Sequence, residues 1–195
     1  GIDPADVPIA TTDDDVAGIT VTPDSGLTVT EAGGTAIFAV VLASQPGADV
    51  SVSLSSSDTT EGTVAPASLT FTPANWNVVQ VVTVTGVDDP AADGSQPFTI
   101  VTAAAQSADT DYAGIDASDV LVASVDDDAA GVTVTPTTGL VVNESGSTAS
   151  FVIVLNTQPA ADVTFDLVSS DTTEGTVSPA TVTFGPGTWN QPQTV

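Results

Sequence analysis

The 195-residue chain carries 25 aspartates and glutamates and no lysine, arginine or histidine, a formal net charge of −25. Without basic side chains it cannot displace counterions from a phosphate backbone or be drawn to an anionic membrane surface, so nucleic acid and membranes are poor partners. Yet 41% of its residues are hydrophobic, too many for a solvated acidic tail, so the charge that offsets its carboxylates must come from outside.

The absence of cysteine removes disulfides, and the absence of lysine removes Lys–Asn isopeptide crosslinks, which leaves metal as the main candidate staple. The longest apolar run, Ala36 to Ala43, is far too short to span a bilayer as a helix. Valine and threonine dominate, which favours strands.

The sequence repeats without a gap at a spacing of 113: Gly1-Ile2-Asp3 falls on Gly114-Ile115-Asp116, Asp13-Asp14-Asp15 on Asp126-Asp127-Asp128, and Trp76-Asn77 on Trp189-Asn190. A period that long lets each unit bury its own core, which makes an array of domains rather than a solenoid. Residues 1–15 read as the last strand and acidic linker of a preceding repeat, 16–128 as one complete sandwich, and 129–195 as a second, truncated one. The chain is therefore expected to be a window on a longer array.

In chain order, period-two alternation predicts strands at about 18–30 (broken near Pro23), 35–43, 49–56, 67–71, 78–86, 97–104 and 119–125. Turn residues separate them, as in Glu31-Ala32-Gly33-Gly34, Gln45-Pro46-Gly47 and Asp88-Asp89-Pro90. About seven short strands per unit predict an all-β fold of tandem immunoglobulin-like β-sandwiches.

If successive strands run antiparallel, alternate connections share one end. Glu31 follows the first strand, Asp58 and Glu61 the third, Asp88, Asp89 and Asp93 the fifth, and Asp126, Asp127 and Asp128 the seventh. All nine acids are thereby sent to one pole, while Asp13, Asp14 and Asp15 meet the opposite pole. Converging carboxylates repel one another and raise each other's pKa, and a hard divalent cation resolves the conflict. Ca2+ suits six to eight oxygens in flexible geometry; Mg2+ fits a multi-carboxylate cage less well, and zinc lacks its His or Cys ligands. Isolated acids such as Asp24 and Asp49 read instead as turn residues.

The segments Val29-Thr30-Glu31-Ala32-Gly33-Gly34-Thr35-Ala36, Leu69-Thr70-Phe71-Thr72-Pro73, Val87-Asp88-Asp89 and Val125-Asp126-Asp127-Asp128 resemble the Calx-β domain family in order and spacing. The resemblance covers the complete unit and the second up to where it stops. It implies an immunoglobulin-like sandwich with calcium at one pole, held by Glu31, Asp58, Asp88, Asp89 and Asp126 to Asp128. Strand parity adds Glu61 and Asp93, and the repeat adds the linker acids Asp13, Asp14 and Asp15, as weaker metal candidates. Ala91-Ala92-Asp93-Gly94 stands where the family often has a glutamate-rich stretch. In the second unit the corresponding acids are Glu144, Asp171 and Glu174, and no full site is expected there.

The expected function is structural: a repeat of an extracellular surface filament or bacterial adhesin stalk, stiffened by Ca2+ and partnered by neighbouring repeats or copies of itself. One alternative is calcium-dependent binding of a surface glycan, for which Trp76 and Trp189 are the aromatic candidates, although their place before a strand suits core closure better. Another is assembly by strand exchange through residues 1–12. Catalysis is not expected, because no His, Cys or Lys is present as base or nucleophile and the acids repeat with the domains.

Overall fold

Alternating β-branched and hydroxyl-bearing residues build strands throughout, and the computed structural model, which describes residues 2–12 and 14–195, contains no helix among them. Two sheets form the first sandwich. One has the order β1 (Ile19–Thr22), β3 (Thr35–Leu42), β7 (Gln80–Gly86), β5 (Gly62–Ala65). The other runs β2 (Leu27–Thr30), β10 (Val120–Val125), β8 (Gln96–Thr102), β4 (Val50–Ser56), β6 (Ser68–Phe71), with the short β9 (Gln106–Ser107) also on β4. All pairs are antiparallel except β2 with β10, which is parallel.

The alternation places one set of side chains between the sheets. Phe38, Val40 and Leu42 of β3, Val82 and Val84 of β7, Val50, Val52 and Leu54 of β4, Phe98 and Ile100 of β8, and Val120 and Val122 of β10 are all buried in one cluster. Each such side chain contributes about 1.5–3 kcal/mol on burial, so many small β-branched residues replace the few large aromatics. Trp76 packs on this cluster and Trp189 on the core of the second unit. Both rings are half-buried and serve packing, as their position in the sequence implies.

The first predicted strand is two strands in different sheets, because Pro23 and the left-handed Gly26 interrupt it. Gly62–Ala65 is an additional strand pairing with β7. Its four residues sit directly behind an acidic turn and show only one half-buried side chain beyond Gly62, too short a run for alternation to reveal.

The second unit holds β11 (Val132–Thr135), β12 (Val152–Leu155), β13 (Val163–Asp166), β14 (Thr181–Phe184) and β15 (Gln193–Thr194). Its core consists of Ile153, Leu155, Val182 and Phe184, with Phe165 edge-on to Phe184 at 6.2 Å between centroids. Residues 140–143, equivalent to β2, form no strand and leave Val141 exposed. In the first unit that segment pairs with β10, for which the second unit has no equivalent within these 195 residues.

Residues 2–12, equivalent to the approach to and body of β10, likewise form no strand, and Val7 and Ile9 are exposed. A strand needs neighbours for its N–H and C=O groups, and this segment has neither a β2 nor a β8 beside it.

Candidate metal centre

Four chain segments converge at one end of the first sandwich. Glu31 follows β2, and its N–H donates to the Val125 carbonyl (3.2 Å), carrying the parallel β2–β10 pairing into the turn. The turn closes through Gly34 N–H to the Thr30 carbonyl (3.0 Å), and Gly86 N–H donates to the Gly34 carbonyl (2.9 Å). Gly86 has to be glycine, because a Cβ there would overlap the Thr30 carbonyl. The end of β7 thereby presses against the residue that precedes Glu31.

Glu61 is placed by the strand absent from the sequence reading. Its carbonyl accepts Val87 N–H (3.0 Å) and the Ser124 hydroxyl (3.4 Å), and the next residue, Gly62, lies flat against the Phe98 ring where any Cβ would collide. The connection from β7 to β8 passes over it: Asp89 Oδ1 accepts Ala91 N–H (2.7 Å), and Gly94, with φ of 78°, donates its N–H to Asp126 Oδ2 (2.6 Å). Asp126 in turn accepts Asp128 N–H at Oδ1 (2.7 Å), folding the tail of β10 back over the pole.

Two groups of three carboxylates result, Glu31 with Asp126 and Asp128, and Glu61 with Asp89 and Asp93. Within each group the ligand oxygens lie within 4.8 Å of one another. Glu31 and Glu61 are buried, 2% and 8% exposed, and each leaves Oε2 with no hydrogen-bond partner. A buried carboxylate oxygen without a donor carries a desolvation penalty that a cation would remove. With no lysine, arginine or histidine in the chain, no side chain can supply that positive charge. Hard oxygens in this number suit Ca2+, and the residues present fit that ion.

The electrostatics agree with the geometry. Burial, and then the charges of Asp126, Asp89, Glu61 and Asp93, push Glu31 up to about 7. Burial followed by Asp93, Asp58, Asp89 and Asp126 raises Glu61. Asp128 is raised by desolvation and then by Asp126, Asp127, Asp88 and Asp89.

The remaining sequence candidates take other places. Asp58 turns its Oδ1 to the N–H (3.0 Å) and hydroxyl (2.6 Å) of Thr60, which hold it below the usual carboxylate range, and it belongs to neither group. Asp88 and Asp127 also lie outside the groups and act on Asp128 through charge. Glu61 and Asp93, weaker candidates from the sequence, occupy the second group; the Asp-x-Thr turn signature at 58–60 is what distinguishes Asp58 from Glu61.

Asp14 is exposed, and Asp15 lines a cavity with Ser44, Gln45, Asp109, Asp111 and Tyr112 at the opposite end, while Asp13 lies outside the described residues. There Asp109 serves the turn, accepting Gly47 N–H (2.7 Å) and Asp111 N–H (2.9 Å). In the second unit Asp171 repeats the turn of Asp58 with Thr173, and Glu144 and Glu174 are exposed.

Fold and pole together define an immunoglobulin-like β-sandwich with a six-carboxylate end. No family model and no curated protein matches the sequence. Among solved structures the chain is similar to the apo-form Calx CBD1 domain (20% identity, 58% of this chain and 100% of that one, TM-score 0.45). It is also similar to the calcium-binding domain CBD12 of CALX1.1 (16%, 91% and 74%, 0.45) and to the periplasmic chaperone SfaE (10%, 91% and 86%, 0.44). Identities this low and TM-scores below 0.5 leave the chemistry to be read from the chain's own residues.

Proposed function

We propose that this chain is a non-enzymatic calcium-binding repeat of the Calx-β type and that its units, 16–128 and the partial 129–195, are links of an extracellular filament or adhesin stalk stiffened by Ca2+. The observation that carries the calcium reading is the pair of buried, donorless oxygens, Glu31 Oε2 and Glu61 Oε2, each within a group of three carboxylates. The gapless repeat and the absence of any covalent staple support the mechanical reading. Glu31, Glu61, Asp89, Asp93, Asp126 and Asp128 are the proposed ligands, with Asp88 and Asp127 raising the local negative field. Glycan recognition is less favoured, since Trp76 and Trp189 are both committed to core packing.

The test is calorimetric titration of the chelated protein with CaCl2 alongside thermal unfolding. Binding together with a rise in Tm is expected. Absence of both heat and Tm change up to 10 mM Ca2+ would overturn the proposal.

A further inference from the structure

Charge is spread unevenly over the first sandwich. Strands β1, β3, β5 and β7 contain no aspartate or glutamate, so the outward side of their sheet is uncharged in a chain of net charge −25. On that side Ile37 and Ala39 of β3 lie opposite Thr83 and Val81 of β7, and Ala39 and Val41 lie opposite Thr22 and Thr20 of β1. Ile37 and Val81 are 58% and 55% exposed, and Val79, just before β7, is 54% exposed. The other sheet differs, because β4 turns Ser51, Ser53 and Ser55 outward and offers water their hydroxyls.

A contiguous exposed apolar surface marks a contact site. A polyanion is repelled by this chain, and a polycation is drawn to the acidic ends, so the matching occupant is a flat, neutral β surface. The repeat itself supplies one. In the second unit Thr133 lies opposite Val154 and Thr135 opposite Val152, with Thr194 beyond, in the register of Thr20 with Val41 and of Thr22 with Ala39 and Val81. We propose that the outward face of β3 and β7 is a lateral contact between two copies of the chain, sheet against sheet. Four strands about 4.8 Å apart and four outward rows about 6.7 Å apart cover roughly 500 Å² per copy. The total of about 1,000 Å² is at the lower limit for a specific interface, and a matching face on the second unit adds avidity. None of the proposed cation ligands lies on this face, so the inference is independent of the calcium reading.

Net charge opposes the contact, since two copies meet with no basic side chain on either. Charges are screened over about 10 Å in 0.1 M salt and about 3 Å in 1 M salt, so salt favours pairing. The test is sedimentation velocity of the 195-residue chain in EDTA, at 0.1 M and at 1 M NaCl. A shift from monomer to dimer is expected, with the dissociation constant falling about tenfold or more. At 1 M NaCl, Val81→Asp weakens the dimer about tenfold or more, because it sets like charges face to face without partners. Ser53→Asp adds the same charge to the other sheet and leaves the dimer at its parental strength.

Ile37→Lys, at an exposed position, also weakens the dimer and decides alone if Val81→Asp does not fold. It lowers the net negative charge and by charge alone would favour pairing, so a loss there reports the face. A parent that stays monomeric in 1 M NaCl overturns the proposal. So do oligomers that persist in the folded Val81→Asp and Ile37→Lys variants, since these form elsewhere, for instance through the exposed Val141 and Val168 of the second unit. An equal loss with Ser53→Asp overturns it too, because that result reports charge and not the β3–β7 face.

Discussion

Gly94 donates its backbone N–H to Asp126 Oδ2 at 2.6 Å, joining the β7–β8 connection to the tail of β10. The two carboxylate groups are therefore mechanically linked, and a perturbation of one should be felt in the other.

Calcium should stabilise the chain strongly. At a free concentration of about one hundred times the dissociation constant, mass action contributes about 2.7 kcal/mol. Thermal unfolding followed by circular dichroism should show a Tm increase of several degrees that EDTA reverses. Mg2+ at equal concentration should give less, because it resists shedding its water for a multi-carboxylate cage.

Substitutions should separate ligands from turn residues. Glu31→Gln and Glu61→Gln remove buried charge, so each should raise Tm in EDTA at pH 7 and sharply reduce the rise on adding Ca2+. Asp58→Asn alters the turn held by Thr60 and should lower Tm slightly while leaving the calcium increment intact. Loss of the increment in Asp58→Asn would place that residue among the ligands.

The chelated protein should become less stable as pH rises. Glu31 ionises with an ordinary value of 4.5 when unfolded and about 7 when folded, so the folded state holds the extra proton between those limits. Stability is fully present below about 4.5 and is lost as pH climbs through 7. Tm in EDTA should fall across that window, and Glu31→Gln should flatten the profile. Saturating Ca2+, which favours the ionised carboxylate, should reverse the slope.

Gly86→Ala forces a Cβ into the Thr30 carbonyl and should cost roughly 1–3 kcal/mol, as overpacking does. Because Thr30 leads directly into Glu31, Ca2+ affinity should fall as well. Equilibrium urea unfolding and calorimetry on the same variant measure both effects.

The walls of the first sandwich were legible because burial on one face imposes strict alternation, as in Phe38, Val40 and Leu42 against Ile37, Ala39 and Val41. The convergence of acids followed from strand parity alone. The roles of individual acids were less legible, since whether a carboxylate faces its neighbours or its own turn depends on one local partner: Thr60 captures Asp58, whereas Gly62 and Val87 seat Glu61. The exposed state of Glu144 was foreshadowed only in part, because burying its counterpart Glu31 depends on Val125, contributed by the far end of the unit.

The parallel pairing of β2 with β10 brings Glu31 beside Asp126 although about 95 residues of chain separate them. A cation held by both would close a loop of that length, and in a covalent crosslink a closure of about 100 residues is worth roughly 4–5 kcal/mol of unfolded-state entropy. The cysteine-free chain thus has at this point the loop topology that a crosslink would close, with carboxylates in place of thiols. Unlike a disulfide, it would be indifferent to reductants and could be opened and remade by ion concentration alone.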